Sequence, residues 1–113
     1  MVRRRICNAL VEQPGFIESE LGLCRRQWPV WMMFLDLYMI EQKDMEEVFR
    51  QFARLSGMSM TTGFRRTVEM VEAGMLDRIP DPDDHRRSFI RLSARTRAGV
   101  DKVMDDLAKL LFP

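Results

Sequence analysis

Hydrophobic residues recur at helical spacing along most of this chain, and in one stretch they alternate as strands do. Residues 4–13 and then Phe16 to Arg26 read as two short helices, separated by Pro14-Gly15, a pair that stops helices. From Pro29, suited to a first helical turn, Trp31, Met32, Phe34, Leu35, Leu37, Tyr38, Met39 and Ile40 follow densely. Apolar groups then cover most of that helix, which places it in the middle of the structure. Met45, Val48, Phe49, Phe52 and Leu55, at steps of three and four, predict an amphipathic helix ending near Ser56-Gly57. Met60, Phe64, Val68, Val71 and Met75 form the apolar stripe of the next helix, which Gly74 ends. Leu76 to Ile79 and Ser88 to Leu92 read as the strands of a hairpin joined by a long loop, Pro80 to Arg87. Ala94 to Phe112 form a last helix in which Val100, Val103, Leu107 and Leu110 make a short heptad seam.

Two helices so closely linked, with Gly57 between them, make a helix-turn-helix. At about 100° per residue, Thr61, Thr62, Arg65 and Arg66 share a polar arc in the first two turns of the second helix, opposite its apolar stripe. Glu69 and Glu72 lie further along the same side. That layout suits a recognition helix, which offers its N-terminal residues to base edges and keeps its acidic half away from phosphate. A solvated polar face is the other reading of the arc. The hairpin favours the first, because Arg86 and Arg87 stand in its loop, where a wing would carry them. The C-terminal seam is too short for a free-standing coiled coil. It packs on its own domain or, as favoured here, on the same seam of a second copy.

At 113 residues there is room for one domain and one core, and 46% apolar residues without a low-complexity tract are enough to fill it. A net charge of +1 does not by itself point to nucleic acid, so the placement of the arginines carries that argument. The longest apolar run, Trp28 to Ile40, is broken by Asp36 and falls short of the roughly 20 residues that cross a bilayer. Arg3-Arg4-Arg5 is followed by an apolar stretch that ends at Glu12, too soon for a secretory signal, so a cytoplasmic location is expected. Cys7 and Cys24 lack zinc-site spacing and are expected to be ordinary reduced thiols. A redox role would require a lowered thiol pKa, for which Arg4, Arg5, Arg25 and Arg26 are near in sequence. Counting from Asp81, a calcium loop would need Gly and Glu where Arg86 and Leu92 stand, so no metal is expected. His85 is the single histidine, and no nucleophile, metal-ligand or phosphate-loop constellation assembles around it. Neither an enzyme nor a cofactor is expected.

Three motifs together resemble the MarR family of winged helix-turn-helix transcription regulators over about Trp31 to Leu110. They are Thr61-Thr62-x-x-Arg65, then Glu72-Ala73-Gly74-Met75-Leu76-Asp77-Arg78, and Asp81-Pro-x-Asp84-x-Arg86-Arg87 followed by Ile90-x-Leu92-Ser93. Gly63, Arg66 and Thr67 depart from the apolar residues or better helix formers usual there. The resemblance implies a divergent, short member, mainly α with a small β-hairpin, a winged helix-turn-helix with flanking dimerisation helices. In these terms 1–113 is a single domain, with 28–93 as the core and 1–27 and 94–113 as dimerisation helices. It further implies a homodimer on double-stranded DNA, with Thr61, Thr62, Arg65, Arg66, Asp84, Arg86 and Arg87 at the DNA and Asp84 orienting Arg86 in the minor groove. A small-molecule effector often lies between the two parts in this family. Trp28, Trp31, Met32 and Tyr38 are residues that would line such a cavity or simply form core. The competing function is a winged-helix module that binds protein without DNA, which would expose an apolar patch on the same face.

Overall fold

The computed structural model describes residues 1–42, 47–48 and 59–113. Helix α1 (Val2–Leu21) runs uninterrupted through Pro14-Gly15, where the sequence predicts a break. Proline removes one amide donor and crowds the preceding turn. That cost is offset here by docking, since Ala9 and Ile17 are buried and Phe16 and Leu21 pack against the core. The helix ends at Gly22, whose φ of 69° lets its N–H reach the Glu18 carbonyl at 2.9 Å. Instead of a second helix reaching Arg26, a single 3-10 turn follows, Arg25–Gln27.

Helix α2 (Trp28–Gln42) is the expected central helix. Trp31, Met33, Phe34 and Leu37 retain no exposure, and each such burial stabilises the fold by about 1.5–3 kcal/mol. Strand β1 (Glu47–Val48) lies within the stretch predicted as the helix of Met45 to Leu55. Glu47 pairs with Ile90 and Val48 with Phe89, antiparallel, so a neighbouring strand with backbone groups to satisfy prevails there over helical periodicity. The remainder of that predicted helix, with Met45, Phe49, Phe52, Leu55 and the Ser56-Gly57 turn, lies outside the described residues.

Helix α3 (Met60–Glu72) is followed by strands β2 (Leu76–Asp81) and β3 (Asp84–Leu92) and by helix α4 (Ala94–Leu111). The sheet order is β1-β3-β2, so the hairpin is flanked by helices in a mainly α chain. Ser59 and Ser93 cap α3 and α4, accepting from the amides of Thr62 and Thr96 at 3.2 and 3.3 Å. Leu76, Ile90 and Leu92 turn one face of the sheet into the common core.

Val100 and Val103 sit in that same core with no exposure, among Ile17 and the α2 side chains. They belong to the subunit's own interior and are not available for the inter-subunit seam that the heptad spacing predicts. Leu107 packs beside them and Leu110 is half-buried. Gly99 allows α1 this close, since a Cβ there would fall 2.5 Å from Leu21 Cδ2 and 3.1 Å from the Glu20 carbonyl. Glu41 ties three elements together. Its Oε1 accepts from the Leu92 amide at 3.0 Å and from Arg97 at 3.1 Å, and Arg97 also reaches the Leu92 carbonyl at 3.3 Å.

Candidate nucleic-acid interface

Helix α3 packs with only part of the face that its periodicity predicts: Val68, Val71 and the following Met75 lie against the core, but in the first two turns the stripe is rotated outward. Gly63, Thr67 and Met70 point inward, whereas Met60 and Phe64, the first two residues of the expected buried stripe, are 51% and 44% exposed. Thr67 is polar yet fully buried because its hydroxyl donates to the Gly63 carbonyl one turn back, at 2.7 Å. The rotation splits the expected polar arc. Thr61 and Arg65 are exposed, and Arg65 lies 3.9 Å from Glu69 in a solvent-facing pair. Thr62 and Arg66 are half-buried. The Thr62 hydroxyl accepts from Ser59 at 2.9 Å as part of the helix cap, and Arg66 Nε is buried without a hydrogen-bond partner.

In the wing, strands extend further than the sequence predicts and the long loop contracts to a turn at Pro82-Asp83. Pro80 pairs with Ser88 and Asp81 with Asp84, so one step on β2 spans four on β3. His85, Arg86 and Arg87 are therefore extruded as a bulge. Asp84 Oδ1 accepts from the Arg86 amide at 3.0 Å and lies 3.5 Å from its Nε, while the Arg86 side chain is 94% exposed. The tighter pair is one the sequence does not single out. Asp81, almost fully buried, accepts from Asp83 N at 2.9 Å and from Arg87 Nε at 2.8 Å, with the second Arg87 nitrogen at 2.6 Å. The Asp83 amide and the Arg87 guanidinium hold the Asp81 carboxyl below its usual range, and Asp81 raises Arg87 in return. Arg87 also stands over the Phe89 ring, 5.6 Å from its centroid. Two guanidinium nitrogens converging on Asp81 Oδ2, with Oδ1 taken by the Asp83 amide, thus brace the base of the bulge. The residues that reveal it, Asp81 and Arg87, stand on either side of a two-residue turn, and that register is visible only once the strands are aligned.

Trp28, Trp31, Met32 and Tyr38 do not converge on a ligand cavity. Trp31 is core, Met32 turns outward, and the space shared by Trp28 and Trp31 with Ile17 and Leu23 is about 20 Å³, room for a water molecule and no more. Cys7 and Cys24 are exposed free thiols, and among the described residues no three His, Cys, Asp or Glu side chains cluster as metal ligands. No described helix is long and apolar enough to cross a membrane.

The sequence matches no protein-family model and no curated protein. Solved structures do match in fold. The transcriptional regulator Tm0710 from Thermotoga maritima is 20% identical, with a TM-score of 0.68 over 97% of this chain and 72% of its own. NadR, in complex with 4-hydroxyphenylacetate, is 13% identical with a TM-score of 0.64, over 94% of this chain and 70% of its own. A cysteine-to-serine variant of MarR from E. coli, complexed with operator DNA, is 14% identical with a TM-score of 0.51, over 96% and 79%. The described residues share the fold of these structures, mainly helical with a small antiparallel hairpin flanked by helices, which is consistent with a winged helix-turn-helix architecture.

Proposed function

We propose that this chain is a MarR-like, homodimeric transcription regulator that binds duplex DNA site-specifically, with α3 in the major groove and Arg86 of the wing in the minor groove. The wing tip carries the reading. A three-residue bulge holds out Arg86, 94% exposed, while the buried Asp81 braces its neighbour Arg87. The ion pair of Arg86 with Asp84 is too exposed to add much to stability, so the guanidinium is available to a nucleic acid. Arg65, exposed on α3, supplies a second cation for the same ligand. Exposure of Met60 and Phe64 favours a second reading, a protein-binding winged helix.

Salt dependence of binding separates the two. On a duplex selected by the protein from a random-sequence pool, Arg86→Ala should make log affinity against log salt shallower by about two for the dimer, at roughly 0.9 for each phosphate that is no longer neutralised. Lys109→Ala, which removes the same charge from α4, should leave the slope unchanged. Equal slopes for all three proteins would remove the wing from the interface. Absence of any duplex binding at low salt would favour the protein-binding module.

A further inference from the structure

We infer that Met60 and Phe64 are specificity-determining residues that read the C5-methyl groups of thymines in the major groove, an inference that rests on the DNA-binding reading above. Around the helix axis, Met60, Phe64, Thr61 and Arg65 follow one another over about 140°, all within the first two turns. All four are exposed. The inward side of α3 is filled by Gly63, Thr67 and Met70, so the two large apolar residues are turned outward while a glycine and a threonine take the buried positions. Met60 and Phe64 keep 51% and 44% of their surface exposed, and a partner's apolar surface would bury that remainder.

Duplex DNA offers one apolar group on its major-groove edges, the thymine methyl, and phenylalanine is among the side chains that meet it. The arginine beside the patch selects this occupant. Arg65 is exposed at the next position and Arg86 projects from the wing, which suits a polyanion whose groove floor is apolar only at thymines. Polar readout from the same turns is limited as well, because the Thr62 hydroxyl is engaged with Ser59 in the cap. Thr61 and Arg65 remain as the polar readers. The preferred half-site therefore has thymines beside the base that Arg65 meets.

Replacing each thymine of the selected duplex by uracil removes a methyl and leaves every hydrogen-bonding group in place, and it changes nothing in the protein. At one or two positions per half-site the wild-type chain should bind about fourfold more weakly, the factor that corresponds to one methyl-sized apolar group. Phe64→Ala or Met60→Ala should be indifferent to uracil at the matching position. If duplex is bound but uracil is neutral at every thymine, or weakens the wild type and both variants alike, the inference falls and the DNA-binding reading stands. If no duplex is selected or bound, both fall, and the face becomes a protein-docking surface.

Discussion

Tyr38 is the sole tyrosine of the sequence, and its phenol on α2 donates a hydrogen bond to Asp101 on α4. The bond exists only while the phenol keeps its proton. With burial and the charges of Asp101 and Asp105, it pushes the Tyr38 pKa up to about 12 from 10.0. Because the folded value lies above the unfolded one, the stabilisation is complete below pH 10 and is lost as pH rises through about 12. Phenolate absorbance should accordingly appear near pH 12, and Asp101→Asn should bring the midpoint down toward 10. A wild-type midpoint at 10 would mean that the bond does not form in solution. Legibility is poorest at this scale. Thr67 departs from the residue types that the resemblance leads one to expect, and sequence does not reveal that the Gly63 carbonyl, one turn back, will accept a hydrogen bond from its hydroxyl. Asp81 and Asp84 are chemically alike and three apart, and only strand register assigns the strong brace to Asp81.

Elements were more legible than residues. The dense apolar run from Trp31 to Ile40, the Gly74 stop and the long segment after Ser93 each mark an observed helix, because periodicity and caps are local properties. Pro14-Gly15 misleads for the opposite reason: the helix persists there through tertiary packing between α1 and α4. Gly99 lies at that junction and gives it a test. Gly99→Ala gains about 1 kcal/mol of helix propensity but presses a methyl onto Leu21 and the Glu20 carbonyl, an overpacking that costs about 1–3 kcal/mol. In the wild-type background urea denaturation should show a net loss of up to about 2 kcal/mol. In a Leu21→Ala background the same substitution should become neutral or stabilising by up to about 1 kcal/mol, as space opens and propensity remains. Additive effects would mean that α1 does not sit against Gly99.

At the scale of the molecule, the radius of gyration of 15.3 Å exceeds the roughly 13 Å of a compact chain this long, and the extents are 52 × 28 × 21 Å. The N-terminal half of α1 accounts for apolar surface left bare. Val2, Ile6 and Leu10, at four-residue steps along one stripe, are 67%, 45% and 62% exposed. If the chain is a dimer, this stripe is a better interface than the heptad valines that its own core has absorbed. Leu10→Glu should then yield monomers of unchanged helicity in sedimentation and circular dichroism, since a charge set against the partner is costly. A dimer of unchanged mass would place the interface elsewhere, Leu110 being the remaining candidate from the seam.

The extruded residues of β3 have a consequence for how such a protein can diversify. Side-chain facing in a strand has period two, so adding or removing one residue in a ladder ordinarily turns every later side chain to the wrong face. Here Pro80 with Ser88 closes the ladder below the tip, while Asp81 with Asp84 closes the turn above it, and His85 to Arg87 lie between the two closures. Apart from Arg87, which Asp81 holds, length and charge at the tip are thereby uncoupled from the inward positions of Ile90 and Leu92. The reach of the wing is free to drift through insertions and deletions while the interior that supports it stays under constraint, so tip and core can evolve at different speeds.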